Sequence, residues 1–249
     1  MRFLILSDIH ANVDAFDAVM TAAAQDTWDR VLVLGDLVGY GAAPNAIVER
    51  VLALEPLAVI RGNHDKAACR LADASDFNQI ARMAAIWTAE TLTGENRMYL
   101  ERLAAGPRSI DATLEICHGA PFDEDHYVFD RADATRALDS ASRPVCLFGH
   151  THLPIVYRRD GEGDAGFIPR MDENDSLRVD LDAGARYLVN PGSVGQPRDG
   201  DPRAAFAIYD GEERILTLRR IEYPVEAAQR RIFNAGLPPS LAHRLAVGR

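Results

Sequence analysis

The chain has 249 residues, of which 47% are hydrophobic and 26% charged, and this composition excludes a disordered or fibrous protein. A chain of this length buries about 70–75% of its unfolded surface, so its core needs no disulfides. The 27 Lys and Arg residues against 37 Asp and Glu give a net charge of −10, which repels nucleic acids and anionic membranes. We therefore expect no membrane partner and no non-specific nucleic-acid binding.

The first half of the chain alternates short apolar runs typical of strands with stretches of helical period. Its βαβαβ order predicts a buried parallel sheet. Two more helices follow, and they are expected to pack against one face of that sheet. The predicted strands are Arg2–Leu6, Arg30–Leu34 and Leu57–Ile60, and the predicted helices are Val13–Gln25, Pro44–Leu54, Phe77–Leu92 and Arg97–Ala104.

The second half is rich in predicted strands, which are expected to form a second sheet packed face to face on the first. The segment from Asp160 to Asp175 is interpreted as an exposed hairpin excursion. Composition does not break anywhere, so residues 1–249 are expected to form a single domain. The predicted strands are Ser109–Ala112, Leu114–His118, Val145–Phe148, Ile155–Arg159, Ser176–Leu181, Arg186–Val189, Arg203–Tyr209 and Arg214–Arg220, and the helices Arg131–Ala141, Val225–Ala235 and Leu241–Val247.

The length of the apolar runs and the spacing of the cysteines indicate in which cellular compartment the protein is expected. The longest uninterrupted apolar stretch, Ala204–Tyr209, is far shorter than the roughly 18 residues that suggest a membrane span. The three cysteines, Cys69, Cys117 and Cys146, are scattered without C-x-x-C spacing, which favours buried thiols in a reducing compartment. The expected location is therefore the cytoplasm.

Polar residues follow five of the predicted strands at their C-terminal ends, the edge where open α/β sheets bind ligands. Five of the seven histidines lie at these ends, although random placement would scatter them. A lone histidine here is more often a satisfied core residue, whereas five motifs in the same structural context favour a site. The residues are Asp8, His10, Asp36, Asn63, His64, Asp65, His118, His150 and His152.

Imidazole and carboxylate groups without a thiolate are typical ligands of first-row transition metals. The set contains too many ligands for one ion. We therefore expect two divalent ions, with Mn, Fe, Zn or Ni as candidates and Mg as a further alternative.

The order of the motifs, D-x-H, G-D, G-N-H-D, H and G-H-x-H, resembles the calcineurin-like metallophosphoesterase superfamily. The segment Asn190–Arg198 is similar to its small bacterial and archaeal single-domain phosphodiesterase branch. The resemblance implies an α/β fold, a four-layer α/β/β/α sandwich of two mixed sheets with a dinuclear metal centre at the C-terminal strand ends. It also implies an enzyme that hydrolyses small phosphate esters by attack of a metal-bridging hydroxide.

The resemblance also implies roles for individual residues. His64 is expected to stand free of metal and to act as general acid or to neutralise developing charge. Asp65 is expected to orient the imidazole of His64, and a helix cap before Lys66–Arg70 is the alternative. One metal is implied on Asp8, His10, Asp36 and His152, and the second on Asp36, Asn63, His118 and His150.

The substrate class depends on the position that Tyr40 occupies. Phosphoprotein phosphatases of this superfamily carry there, in G-D-x-V-x-R-G, an Arg that grips the phosphoryl oxygens. A monoester dianion needs that charge more than a diester does, so we expect phosphodiesters to be preferred. Arg61 or Arg198 could restore the charge, and surface ion pairs are the alternative for both. A phosphomonoesterase, a protein phosphatase, a non-catalytic metal-binding scaffold and a homo-oligomer stay open.

Overall fold

The computed structural model describes residues 1–74, 77–168 and 175–249, which contain twelve strands and eight helices. The strands are β1 (Arg2–Leu6), β2 (Arg30–Val33), β3 (Ala58–Val59), β4 (Arg108–Ser109), β5 (Leu114–Ile116), β6 (Val145–Leu147), β7 (Ile155–Asp160), β8 (Gly166–Ile168), β9 (Ser176–Asp180), β10 (Ala185–Asn190), β11 (Ala204–Asp210) and β12 (Ile215–Ile221). The helices are α1 (Val13–Ala23), α2 (Pro44–Ala53), α3 (Asn63–Ala68), α4 (Gln79–Thr91), α5 (Gly94–Glu101), α6 (Arg131–Ser140), α7 (Val225–Asn234) and α8 (Pro239–Leu245).

The strands form two mixed sheets of six strands each. The first sheet has the order β3-β2-β1-β11-β12-β9, and the second has the order β4-β5-β6-β10-β7-β8. The predicted parallel arrangement of β1, β2 and β3 is confirmed. A continuous apolar layer fills the space between the sheets, where Phe3 and Ile5 of β1 belong to the same cluster as Leu147 of β6 and Tyr187 of β10.

Helices cover the outer face of each sheet. Leu4 and Leu6 point away from the inter-sheet layer, because successive strand residues alternate in direction, and they belong to the cluster formed with α1, α2, α4, α5, α7 and α8. On the second sheet, Leu138 of α6 belongs to the same apolar cluster as Phe148, the residue after β6. The predicted four-layer α/β/β/α sandwich is confirmed. Helices α4 and α5 were expected to pack on the first sheet, and the elements they contact are α2 and α3.

The second sheet consists of strands from the second half of the chain, as predicted, but the prediction is wrong for three other strands of that half. Strands β9, β11 and β12 join the first sheet, and β11 lies antiparallel to β1 with Phe3 opposite Tyr209. Without β11, β1 would be an edge strand with a row of unpaired backbone groups. The alternation of apolar and polar residues in the sequence indicates which face of a strand is buried. It does not indicate which strand lies beside it, so it could not predict the pairing of β1 with β11.

Short elements account for the other differences. Helix α3 was expected only through the alternative role of Asp65 as a helix cap, and β8 was not predicted as a separate strand. The predicted strand Ser109–Ala112 stops at Ser109, because the Asp111 carboxylate accepts hydrogen bonds from the backbone amides of Thr113 and Leu114 and forms a turn. The expected excursion after Asp160 contains the hairpin of β7 and β8, and its residues 169–174 lie outside the described residues.

The helices and the cysteines correspond to two predictions, the absence of a membrane span and the presence of buried thiols. Within the described residues, no helix is both long and apolar enough to cross a membrane. The three cysteines are buried free thiols, as predicted.

Candidate metal centre

The C-terminal ends of β1, β2 and β3 in the first sheet and of β5 and β6 in the second meet at one end of the sandwich. Two groups of side chains that could each hold a metal ion lie there, with their ligand atoms within 4.8 Å of one another. All members are buried, and one carboxylate belongs to both groups. The first group is Asp8, His10, Asp36 and His152, and the second is Asp36, His118 and His150.

The Asp36 carboxylate lies between the two groups. Its Oδ2 atom is 3.5 Å from Nε2 of His10 and 3.5 Å from Nε2 of His118. Its Oδ1 atom accepts a hydrogen bond of 2.9 Å from the backbone amide of His64, which fixes the carboxylate plane. Oδ1 of Asn63 lies 3.3 Å from Nε2 of His118, so the amide stands beside the second group.

Backbone carbonyl groups fix the orientation of the histidine rings. In three of them Nδ1 lies at hydrogen-bond distance from a carbonyl oxygen, so Nε2 carries the free lone pair and faces the site. In His150 the two nitrogens exchange roles, since Nε2 lies 3.0 Å from the carbonyl of Asp125 and Nδ1 is left for the site. The other three Nδ1 distances are 3.1 Å from His10 to Val38, 2.7 Å from His118 to Leu34 and 2.6 Å from His152 to Gln196.

The spacing of the ligand atoms fits cation binding. Nε2 of His10 and Nε2 of His152 are 3.1 Å apart, and Nε2 of His152 is 3.3 Å from Oδ1 of Asp8. Ligand atoms around a tetrahedral ion with bonds of about 2.0–2.1 Å are separated by about 3.3 Å. Two ring nitrogens that both present lone pairs repel each other, and a shared cation removes that repulsion.

Burial and charge set the protonation of the site. Burial lowers the pKa values of His10, His150 and His152 well below the usual range, so these rings are neutral and can offer a lone pair to a cation. In His118 burial acts in the same direction, but the neighbouring Asp36 carboxylate outweighs it and raises the pKa to about 10. A divalent cation at the site competes with that proton.

The turns that carry these ligands have a strained backbone. Left-handed φ values in residues other than glycine cost about 1–3 kcal/mol each and cluster at functional sites. One glycine makes a close approach: a Cβ on Gly149 would lie 2.2 Å from Oγ of Ser7 and 2.8 Å from Oδ2 of Asp8. The candidate ligands with φ between 48° and 66° are Asp8, His10, Asp36, His150 and His152.

The loop after β10 braces the site, which the sequence analysis missed. Nδ2 of Asn190 donates to the carbonyl of Gly149 at 2.7 Å and to the hydroxyl of Thr151 at 3.0 Å. Oγ of Ser193 donates to the backbone carbonyl of Asp8 at 2.7 Å. The available signal was the segment Asn190–Arg198 itself, which was noted for its resemblance to one branch of the superfamily and not for contacts with the site.

His64 lies at the start of α3, beside the two groups. Its ring centroid is 4.9 Å from that of His10 and 4.2 Å from that of Tyr40. Among the described residues its buried Nδ1 atom has no hydrogen-bond partner. Burial lowers the pKa of its imidazole to about 4.

The hydrogen bonds of the Asp65 carboxylate run to backbone amides, and its expected part in orienting the His64 ring stays a prediction. Its Oδ1 accepts from the backbone amide of Val38 at 3.1 Å, and its Oδ2 accepts from the backbone amide of Gly62 at 3.0 Å. Because Gly62 is the residue before α3, the helix-cap alternative is correct. Asp65 therefore ties the start of α3 to the loop after β2.

The three candidate substrate residues differ in their surroundings. Arg61 makes a bidentate ion pair with Glu124, at 3.1 and 2.9 Å. Of the two roles expected for Arg61, this contact corresponds to the ion pair. Arg198 instead donates to the Tyr40 hydroxyl at 3.3 Å and to Oε1 of Gln196 at 3.5 Å. Tyr40 is buried, and its ring centroid lies 4.7 Å from that of His10.

The sandwich and its buried Asp and His groups define a fold with a candidate metal centre of the phosphoesterase type. The chain belongs to the calcineurin-like phosphoesterase superfamily, whose domain model matches residues 1–214. This membership places it among the metal-dependent phosphoesterase hydrolases and confirms the resemblance of its motifs.

Individual relatives cover nearly the whole chain. It is 31% identical to the uncharacterized protein MJ0912 of Methanocaldococcus jannaschii, over 98% of this chain and 97% of that protein. It is 23% identical to Phosphodiesterase YfcE of Escherichia coli K12, over 85% of this chain and 89% of that protein. The crystal structure of a metallophosphoesterase from Sphaerobacter thermophilus matches with a TM-score of 0.86 at 39% identity, covering 100% of both chains. The hypothetical protein PH1004 from Pyrococcus horikoshii OT3 shares the fold, with a TM-score of 0.79 at 20% identity over 100% of this chain and 98% of that one.

Proposed function

We propose that the protein is a cytoplasmic phosphodiesterase with two divalent metal ions. The observation that carries the proposal is the position of Asp36 Oδ2, which is 3.5 Å from a histidine of each group. When bound, two cations supply Lewis-acid activation of water and of the phosphoryl oxygens. Manganese is our first candidate, ahead of Fe, Zn and Ni. The proposed ligands are Asp8, His10, Asp36, Asn63, His118, His150 and His152.

The chain's own residues supply orientation and a proton. His64 is proposed to donate a proton or a hydrogen bond to the leaving oxygen, because its ring is fixed beside His10 and Tyr40 but is bonded at Nδ1 to none of the described residues. Asp65 is proposed to act as a positioning residue through the backbone of Gly62 and Val38. Strands from both halves of the chain share the first sheet, which supports a single domain over residues 1–249.

Two observations support the diester preference. Tyr40 stands where the phosphoprotein phosphatases of the superfamily have an Arg, so the site lacks that grip on a monoester dianion. The relative YfcE is named a phosphodiesterase. The contact of Arg198 with Tyr40 favours a second candidate, a phosphomonoesterase in which Arg198 replaces the missing charge.

The test is a metal-dependent assay of the purified protein. The protein is loaded in turn with Mn²⁺, Ni²⁺, Zn²⁺ and Mg²⁺, and kcat/KM is measured for bis(4-nitrophenyl) phosphate and 4-nitrophenyl phosphate. We expect the diester to be the better substrate and Asp36→Asn to abolish turnover, while the matched carboxylate variant Asp133→Asn, on α6, keeps it. A tenfold preference for the monoester that collapses in Arg198→Ala would establish the phosphomonoesterase. Hydrolysis of neither ester with any metal would indicate the scaffold.

A further inference from the structure

Two arginines from distant parts of the chain converge on Tyr40. Arg198 belongs to the loop after β10, and Arg244 belongs to α8. Their Cζ atoms lie 5.8 Å and 5.5 Å from the centroid of the Tyr40 ring. The Arg198 guanidinium group also donates a hydrogen bond to the Tyr40 hydroxyl. The sequence analysis singled out Arg198 but not Arg244.

Neither guanidinium group forms an ion pair with an Asp or Glu of residues 1–74, 77–168 or 175–249. Nearby arginines differ in this respect, since Arg220 pairs with Asp199 and Arg231 pairs with Asp14. Nε of Arg244 donates to the backbone oxygen of Arg249.

The two positive charges therefore lie against the same aromatic ring, and neither has a carboxylate of the described residues at ion-pair distance. Nε of Arg198 is buried and has no hydrogen-bond partner among the described residues. Burial, together with the charge of Arg198, lowers the pKa of Arg244. Partly buried like charges cost free energy, and a bound anion would recover it.

The pair lies next to the metal-ligand groups. Tyr40, which both arginines contact, has its ring centroid 4.2 Å from that of His64. The Tyr40 ring centroid also lies 4.7 Å from that of His10, which belongs to the first group. Arg198 and Arg244 are thus separated by one aromatic ring from His64 and from the first group.

We propose that Arg198 and Arg244 form a second anion subsite, which binds a phosphate of the substrate other than the one that reacts. The inference rests on the proposed phosphodiesterase function and narrows its substrates to diesters that carry a further phosphate. Guanidinium groups match phosphate oxygens through paired hydrogen bonds. Cation–π contact with Tyr40 holds both groups in place. On a chain of net charge −10, the subsite adds to the local attraction that the two proposed metal ions give an anionic substrate.

The first experiment measures binding without turnover. Protein freed of metal by chelation is titrated with inorganic phosphate by calorimetry, as the unchanged protein and as Arg198→Gln, Arg244→Gln and Arg230→Gln. Arg230 is exposed on α7 and serves as the matched charge control. We expect phosphate to bind at least tenfold more weakly to the Arg198 and Arg244 variants and equally to the Arg230 variant. Unchanged binding in Arg244→Gln, with an unchanged thermal midpoint, would overturn the subsite.

The second experiment separates a substrate phosphate from free phosphate as the occupant. Metal-loaded protein is assayed with thymidine 5′-(4-nitrophenyl phosphate) and with the same diester carrying a 3′-phosphate. We expect the 3′-phosphate to raise kcat/KM at least tenfold, and Arg244→Gln but not Arg230→Gln to remove that gain. Equal kcat/KM values for the two diesters, together with phosphate binding in the first experiment, would make free phosphate the occupant and overturn the inference. Hydrolysis of neither diester, with the binding result as expected, would count against the proposed function alone.

Discussion

Nε2 of His10 and Nε2 of His152 lie 3.1 Å apart, although the two residues are 142 positions apart in the chain. Both rings donate through Nδ1 to backbone carbonyl groups, so the facing nitrogens have no proton to share. The fold therefore brings two lone pairs into contact inside a buried site. This arrangement is costly for the protein alone and favourable for a protein with a cation.

Metal removal should lower the thermal stability for this reason. A cation present at 100 times its dissociation constant stabilises the folded state by about 2.7 kcal/mol. For a chain of this size that corresponds to a Tm increase of about 5–10 °C. Calorimetric scans of chelated and Mn²⁺-loaded protein measure the difference. The same Tm in both scans would contradict a metal site at His10 and His152.

Asp36→Ala should remove at least one ion and abolish turnover while the protein stays folded. Asp36 contributes to both ligand groups, and the apolar layers of the sandwich do not depend on its side chain. Elemental analysis gives the metal content, and far-UV circular dichroism gives the fold. If the variant kept two ions per chain, the assignment of Asp36 as the shared ligand would be wrong.

His64→Ala should separate binding from chemistry. We expect the metal content to be unchanged and turnover to fall by about 10²–10⁴ for substrates with poor leaving groups. A 4-nitrophenolate leaving group needs little protonation, so its loss should be smaller. A series of aryl diesters of graded leaving-group pKa makes the comparison, and an equal loss across the series would leave His64 with electrostatic stabilisation only.

Gly149→Ala should weaken metal binding, because the added Cβ would collide with Ser7 Oγ and Asp8 Oδ2. We expect a loss of about 1–3 kcal/mol in unfolding free energy, typical of overpacking at a buried position. Gly184→Ala is the control, since a Cβ there meets nothing within 4 Å. Denaturant unfolding and metal titration of both variants test this prediction, which fails if the two variants behave alike.

The sequence predicted which residues cluster at the candidate site, but it did not predict the hydrogen bonds that hold them in place. The motif residues all follow strands, and parallel strands bring their C-terminal ends to one edge, so the cluster around Asp36 was predictable. The bonds of Asp65 to Val38 and Gly62 were not, because a carboxylate beside a histidine fits a helix cap and a catalytic partner equally well. Arg244 was not predicted as a site residue, because its contact with Tyr40 joins residues that are far apart in the sequence. A single arginine in a predicted helix does not indicate such a contact.

The pairing of Phe3 with Tyr209 also bears on how the chain acquires its structure. A ribosome adds about 5–20 residues per second, so β1 emerges about 10–40 s before its neighbour β11. During that interval one side of β1 is a bare strand edge, the kind of surface on which nascent chains aggregate. Contacts of such long sequence separation also slow folding. The end of the sandwich that carries the candidate metal centre, with Asp8 directly after β1, is therefore completed only after β11 has been made.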